Sequence, residues 1–140
     1  MTELAANLEK CDTAPDWLLM ATQQAFSGDT TQSQNPEFLA YLQRVLHEDP
    51  VSISFAMKGI LLGREDLHPM MRRVKDVPVL VIAGEQDRVF DIGQSQSLAD
   101  SITTSNFVLL PKTGHLAPRE NPTAVNAAID TFLKNRLAHK

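Results

Sequence analysis

Two residues of this chain, Asp87 and His115, are of the types that exchange protons in enzymes, and their settings are alike. Each lies just after a segment that begins as an apolar strand and breaks at a glycine: residues 77–84 precede Asp87, and residues 107–114 precede His115. A carboxylate that orients an imidazole makes that imidazole a competent general base. The sequence therefore predicts that Asp87 and His115 work together in acid–base chemistry.

Other residues compete for these roles. Asp91 lies close to Asp87 and is a rival carboxylate, but we expect it to cap the helix that follows. The alternative for Asp87 is a turn residue without chemistry, and the alternative for His115 is an ordinary loop histidine. His68 has no motif around it, so no role is predicted for it.

The strands that position the pair indicate a parallel sheet. Residues 79–83 are apolar on both faces, which is typical of a parallel strand covered by helices on both sides. A helix over residues 92–102 joins this strand to a second one, which gives a right-handed crossover unit. Sheets of this class usually have further strands, so we expect the chain to hold only part of a sheet.

The first half of the chain is predicted to be helical. Three helices start at a polar cap followed by proline, at Asn35-Pro36, Asp49-Pro50 and Asn121-Pro122. A further helix runs from Trp17 towards Gly28. The polar residues 27–34 show no apolar stripe and are predicted to be a linker.

Composition excludes several classes of function. The chain has 140 residues, a net charge of −4 and one cysteine, Cys11, which cannot form an internal disulfide. An acidic chain does not suit nucleic-acid binding, and no apolar run approaches the ~20 residues of a membrane-spanning helix. The sequence contains no phosphate-binding glycine loop or paired-cysteine metal motif. We expect a cytoplasmic protein with no nucleic-acid or membrane partner, no cofactor and no metal.

The motifs resemble those of one family. The segment from Pro78 to Asp87 resembles the strand and turn that bear the acid of α/β-hydrolases. Thr113-Gly114-His115-Leu116, followed by Glu120-Asn121-Pro122, resembles their histidine loop, and esterase and lactonase members are the most similar. Acid and histidine are 115 − 87 = 28 residues apart, in the family's order.

The resemblance implies the fold and the division of the chain. It implies an α/β fold that is the C-terminal portion of an α/β-hydrolase, with strand, helix, strand and helix in sequence and two parallel strands. Residues 65–140 would be this part of the core, and residues 1–64 would be a helical segment similar to a cap.

One part of the family pattern is missing. The nucleophile elbow, Gly-x-Ser-x-Gly, is not in the sequence, because Ser97 replaces the second glycine of the nearest string, residues 93–97. The resemblance implies a cofactor-independent Ser-His-Asp hydrolase of a small ester or lactone, with His115 as base and Asp87 as orienting acid. Without the nucleophile, we expect the chain to be inactive alone and to need an N-terminal hydrolase half as partner.

The alternative is a chain without catalysis. It would be a truncated homologue that acts as an interaction module, or a fragment of a gene model. An exposed edge on an apolar strand favours pairing with another chain, so this hypothesis predicts a homo-oligomer or a bound partner.

Overall fold

The computed structural model describes residues 2–10, 15–63 and 65–137, and within them the first helices precede two strands. The helices before the sheet are α1 (Thr2–Leu8), α2 (Asp16–Phe26), α3 (Asp29–Gln34), α4 (Pro36–Glu48), α5 (Pro50–Ala56), a π-helical turn (Met57–Leu62) and α6 (His68–Met71). Then follow β1 (Val79–Gly84), α7 (Ile92–Asp100), β2 (Ser105–Leu110), α8 (Ala117–Glu120) and α9 (Pro122–Leu137). Cys11 and Arg64 lie outside the described residues. The boundary expected between residues 64 and 65 stays a prediction.

The three proline-started helices are confirmed, and each cap residue satisfies a backbone donor of its first turn. Asn35 accepts from Phe38 N at 3.0 Å, and Asp49 accepts from Ser52 N at 2.9 Å. The Asn121 side chain accepts from the backbone N–H of Ala124, at 3.2 Å. These donors have no intrahelical partner, so an oxygen at the cap stabilises each helix start.

The linker predicted at residues 27–34 is wrong in its second part, where the chain forms α3. No apolar stripe drives this helix. Its Thr31 is buried, and the Thr31 hydroxyl donates to the carboxylate of Glu120, 89 residues along the chain. Tertiary contacts of this kind override local propensity.

The sheet has the predicted topology. In the described part of the chain β1 pairs with β2 in parallel, from Val79 opposite Ser105 to Gly84 opposite Leu110. The crossover helix α7 and the last helix α9 each contact both strands. Leu110, Ala117 and Val125 form a buried apolar cluster on which Ile82 and Val108 pack. The two strands therefore end side by side, at one edge of the sheet.

None of the helices in the described ranges combines the length and the apolar character that crossing a membrane requires.

Candidate active site

The turn after β1 is fixed by backbone hydrogen bonds to the end of β2. Glu85 N donates to Leu110 O at 2.9 Å, and Gln86 N donates to Thr113 O at 2.8 Å. Asp87 closes the turn by donating its own N–H to Gly84 O at 3.2 Å. Because both strands end at this edge, their following loops bring Asp87 and His115 together.

The structure places the two predicted residues in hydrogen-bonding contact. Nδ1 of His115 lies 3.0 Å from Oδ2 of Asp87. The other carboxylate oxygen, Oδ1, accepts from the backbone N–H of Val89 and of Phe90, at 2.8 and 2.9 Å. A carboxylate only accepts, so it holds the ring proton on Nδ1 and leaves Nε2 as the nitrogen that can take a proton.

The pair is largely shielded from water. Only 8% of the Asp87 side chain and 22% of the His115 side chain are exposed. Two aromatic rings flank the imidazole: Phe26 from α2 meets it edge-on, with centroids 5.2 Å apart, and Phe90 meets it tilted, at 5.6 Å. In such a setting an ionic hydrogen bond is stronger than it is in water.

Two glycines let the backbone segments around the pair approach closely. A Cβ at Gly84 would clash with the backbone carbonyls of Thr113 and Gly114, and one at Gly114 would clash with Gly28 N and Ser27 C. Backbone atoms cannot give way as a flexible side chain does. The histidine loop is thus packed directly on the end of β1 and on the turn between α2 and α3.

The rival carboxylate has the structural role expected of it. Asp91 caps α7 by accepting from Gln94 N at 2.8 Å, and the Gln94 side chain accepts from Asp91 N at 3.1 Å. This is a reciprocal capping box. The structure therefore brings Asp87, and not Asp91, to the imidazole.

Sequence reasoning missed a second alignment of Asp, His and Ser. Nδ1 of His68 lies 2.6 Å from Oδ1 of Asp66, and the Ser97 hydroxyl lies 3.4 Å from Nε2 of His68. The backbone N–H of His68, and after it the His68 side chain, hold the pKa of Asp66 below its ordinary value. The Asp-x-His spacing at the start of α6 was the available signal in the sequence, but only the fold brings Ser97 close to His68.

This second group lacks what acyl transfer requires. The side chains of Asp66 and His68 are 67% and 37% exposed, and Ser97 lies inside α7, where the neighbouring N–H groups are bound within the helix. The backbone donors next to Ser97 are therefore not available to a developing oxyanion. The group lines a cavity of about 520 Å³ that also touches Phe90. In the described ranges no three His, Cys, Asp or Glu side chains cluster so as to hold a metal ion.

Comparisons with known proteins give a matching family and several similar sequences. The sequence profile of the family described as "Serine hydrolase (FSH1)" matches residues 19–127. The chain is 36% identical over 73 residues to 3-oxoadipate enol-lactonase 2 of Acinetobacter baylyi, covering 52% of this chain and 27% of that protein. It is 37% identical over 71 residues to human monoacylglycerol lipase ABHD6, covering 51% of this chain and 21% of the lipase.

Solved structures share the fold. An esterase from Thermogutta terrifontis matches with a TM-score of 0.79 at 24% identity, covering 96% of this chain and 48% of the esterase. The enol-lactonase from Burkholderia xenovorans LB400 matches with a TM-score of 0.77 at 24% identity, covering 93% and 48%. The chain thus spans about a quarter of the curated relatives and about half of the solved structures. The predicted fold class is confirmed.

Proposed function

Because the chain belongs to the FSH1 family of serine hydrolases, with an α/β-hydrolase fold and esterase- and lactonase-like relatives, we propose that Asp87 and His115 are the acid and the base of a Ser-His-Asp site. The observation that carries the proposal is the shielded hydrogen bond between Nδ1 of His115 and Oδ2 of Asp87, 3.0 Å long. The nucleophilic serine is supplied by residues outside these 140, in a preceding segment or a partner chain.

The proposed steps begin at Nε2 of His115, the ring nitrogen that carries no proton. Nε2 of His115 takes the hydroxyl proton as the serine attacks the carbonyl carbon, and His115 then gives this proton to the leaving alcohol. Water attacks the acyl-serine, again with His115 as base. Asp87 keeps the ring in one tautomer and stabilises the imidazolium. The reaction consumes one water and yields an acid and an alcohol, so no cofactor enters it.

The proposed substrate is a carboxylic ester or lactone. The relatives named as a lactonase, a lipase and an esterase support this class. We also propose that residues 1–64 form part of a cap at the site, which the contact of Phe26 with His115 supports. A cytoplasmic location stays a prediction.

The test begins with the DNA upstream of the Met1 codon. We expect an open frame that encodes Gly-x-Ser-x-Gly, on the order of 100 residues earlier, as a typical domain size requires. The product of that frame together with this chain should hydrolyse p-nitrophenyl esters and lactones. A serine-directed fluorophosphonate should label the elbow serine, and replacing this serine by alanine should abolish both signals.

Two results would contradict the proposal. The fluorophosphonate label could map to a serine within the 140 residues, or the 140-residue chain alone could turn over activated esters above the imidazole background. An upstream region with no such motif would instead favour the interaction module.

The interaction module is the second candidate because of one observation on the sheet. In the described residues β1 pairs only with β2, and a parallel strand that is apolar on both faces belongs inside a larger sheet. A module of this kind should self-associate or hold a partner through the edge of β1. Light scattering that shows a compact, cooperatively unfolding monomer would contradict it.

A further inference from the structure

The carboxylate of Glu120, at the end of α8, gathers donors from two distant parts of the chain. Oε2 accepts from Gly28 N at 2.8 Å, from the Thr31 hydroxyl at 2.8 Å and from Gly114 N at 3.0 Å. Oε1 accepts from Leu116 N at 3.0 Å. Hydrogen bonds to an ionised carboxylate are roughly twice as strong as neutral ones. One side chain therefore ties together segments that are about 90 residues apart.

Two of these donors are the backbone N–H groups on either side of His115. Because Gly114 and Leu116 are both bound by Glu120, the backbone that carries the imidazole has little freedom to turn. The imidazole reaches Asp87 from this backbone, 3.0 Å away. Glu120 itself does not contact the Asp87–His115 hydrogen bond, so its effect on the ring passes through the loop.

We propose that Glu120 is a positioning residue for His115. The carboxylate fixes the loop 114–116 against the turn between α2 and α3. In this way it sets the position and the orientation of the His115 ring relative to Asp87. The catalytic consequence rests on the proposed function, whereas the effect on the ring belongs to the 140-residue chain itself.

Through the same contacts, residues 27–31 help to hold the histidine loop in place. The Thr31 side chain is buried, with 5% exposed, and its hydroxyl ends on Glu120. The backbone of Ser27 and Gly28 lies so close to Gly114 that a Cβ at Gly114 would overlap it. Residues 27–31, which form the turn after α2 and the start of α3, therefore support the histidine loop, in addition to any role of residues 1–64 as a cap.

Two variants of the full chain separate positioning from simple packing. Glu120→Gln keeps the shape but replaces one acceptor oxygen by a donor, and Thr31→Val removes one hydroxyl donor at nearly constant volume. Thr31→Ser restores the hydroxyl and serves as the rescue. Glu85→Gln is the matched control, since exposed Glu85 also accepts one backbone N–H of this region, from Lys112 at 3.0 Å.

The measurements are amide hydrogen exchange at Gly114 and Leu116 and the Nδ1–H resonance of His115 in ¹⁵N-labelled chain. Glu120→Gln should speed exchange at these amides by about tenfold or more, the loss expected for a charge-assisted hydrogen bond. It should also shift or broaden the Nδ1–H signal. Thr31→Val should do the same to a smaller extent, while Thr31→Ser and Glu85→Gln should leave both unchanged.

An unaltered Nδ1–H resonance in a variant whose Gly114 and Leu116 amides have lost protection would overturn the proposal, because the loop would then move without moving the ring. If Glu120→Gln does not fold, Thr31→Val decides by the same criterion. In the complete enzyme, positioning predicts a lower kcat with little change in KM. A complete enzyme with no hydrolase activity would refute the proposed function, yet the spectra would still decide on Glu120.

Discussion

The molecule contains two Asp–His pairs of the same chemical type in opposite surroundings. Asp66 and His68 have the shorter contact, 2.6 Å against 3.0 Å for Asp87 and His115, and a serine on the far side of the ring. Two-thirds of the Asp66 side chain is nevertheless exposed, against 8% of Asp87. The pair with the shorter distance is therefore the more exposed one.

Surroundings, more than distance, therefore decide whether an Asp–His pair is suited to proton transfer. Around Asp66 and His68 water competes for every donor and screens the charges, so the contact has little energetic weight. Around Asp87 and His115 two backbone donors hold the carboxylate and two aromatic rings flank the imidazole. Such a pair is oriented before any substrate arrives, which is what electrostatic catalysis requires.

The largest expected effect separates the two histidines in the complete enzyme. His115→Ala should lower kcat for ester hydrolysis by about 10⁴-fold, because the base of the relay is gone. His68→Ala is the matched control and should change kcat by less than about twofold, as an exposed substitution does. Steady-state kinetics on a p-nitrophenyl ester measures both.

Equal losses of kcat in the two variants would show that the two histidines do not differ in their role. A greater loss of kcat in His68→Ala than in His115→Ala would assign the chemistry to His68 and Ser97 instead.

The second prediction concerns the close packing that only the shielded pair has. Gly114→Ala should destabilise the chain by about 2 kcal/mol or more, since the added methyl overlaps the backbone at Ser27 and Gly28. Gly59→Ala meets nothing within 4 Å and should be neutral or stabilising by up to about 1 kcal/mol. Urea unfolding of the 140-residue chain gives both values. Gly114→Ala with unchanged stability would show that the loop is not packed as described.

Asp87 and His115 could largely be predicted from the sequence because each is marked by residues next to it in the chain. A strand that breaks at a glycine presents the next polar residue at a sheet edge, and parallel strands end at the same edge. This placed Asp87 and His115 together. The capping role of Asp91 was also predictable, because the helix start lies within a few residues of it.

Helix α3 and the roles of Glu120 and Ser97 could not be predicted, because they depend on contacts between residues far apart in the sequence. Residues 29–34 have no apolar stripe, and α3 forms where Thr31 meets Glu120 and Arg88 pairs with Asp29 at 2.7 Å. Glu120 was visible only as part of the histidine-loop motif, and nothing local shows that it binds donors on both sides of His115. Ser97 reaches His68 only through the crossover, 29 residues along the chain.

The smallest expected effect lies at the exposed pair. The pKa of Asp66 is lowered, first by the backbone N–H of His68 and then by its ring. The folded state therefore gains a slight stability that is present above the ordinary Asp pKa, about 3.9, and is lost as the pH falls through the lower folded value. A ¹³C titration of the carboxyl should show this midpoint.

In His68→Ala the midpoint should rise only part of the way, since the backbone donor remains. A wild-type midpoint at or above that of a peptide with the sequence of residues 65–70 would contradict the assignment.

The hydrogen bond between Asp87 and His115 is tested most directly by the ¹⁵N–¹H spectrum of the imidazoles in the 140-residue chain, compared with those of Asp87→Asn and Asp66→Asn. Neutral His115 should carry its proton on Nδ1 and exchange it with water more slowly than His68 does. Asp87→Asn should move that proton to Nε2, because an amide can donate to Nδ1, whereas Asp66→Asn should leave His115 unchanged. A wild-type His115 protonated mainly on Nε2, or exchanging as fast as His68, would contradict the claim that Asp87 holds the imidazole in a shielded hydrogen bond.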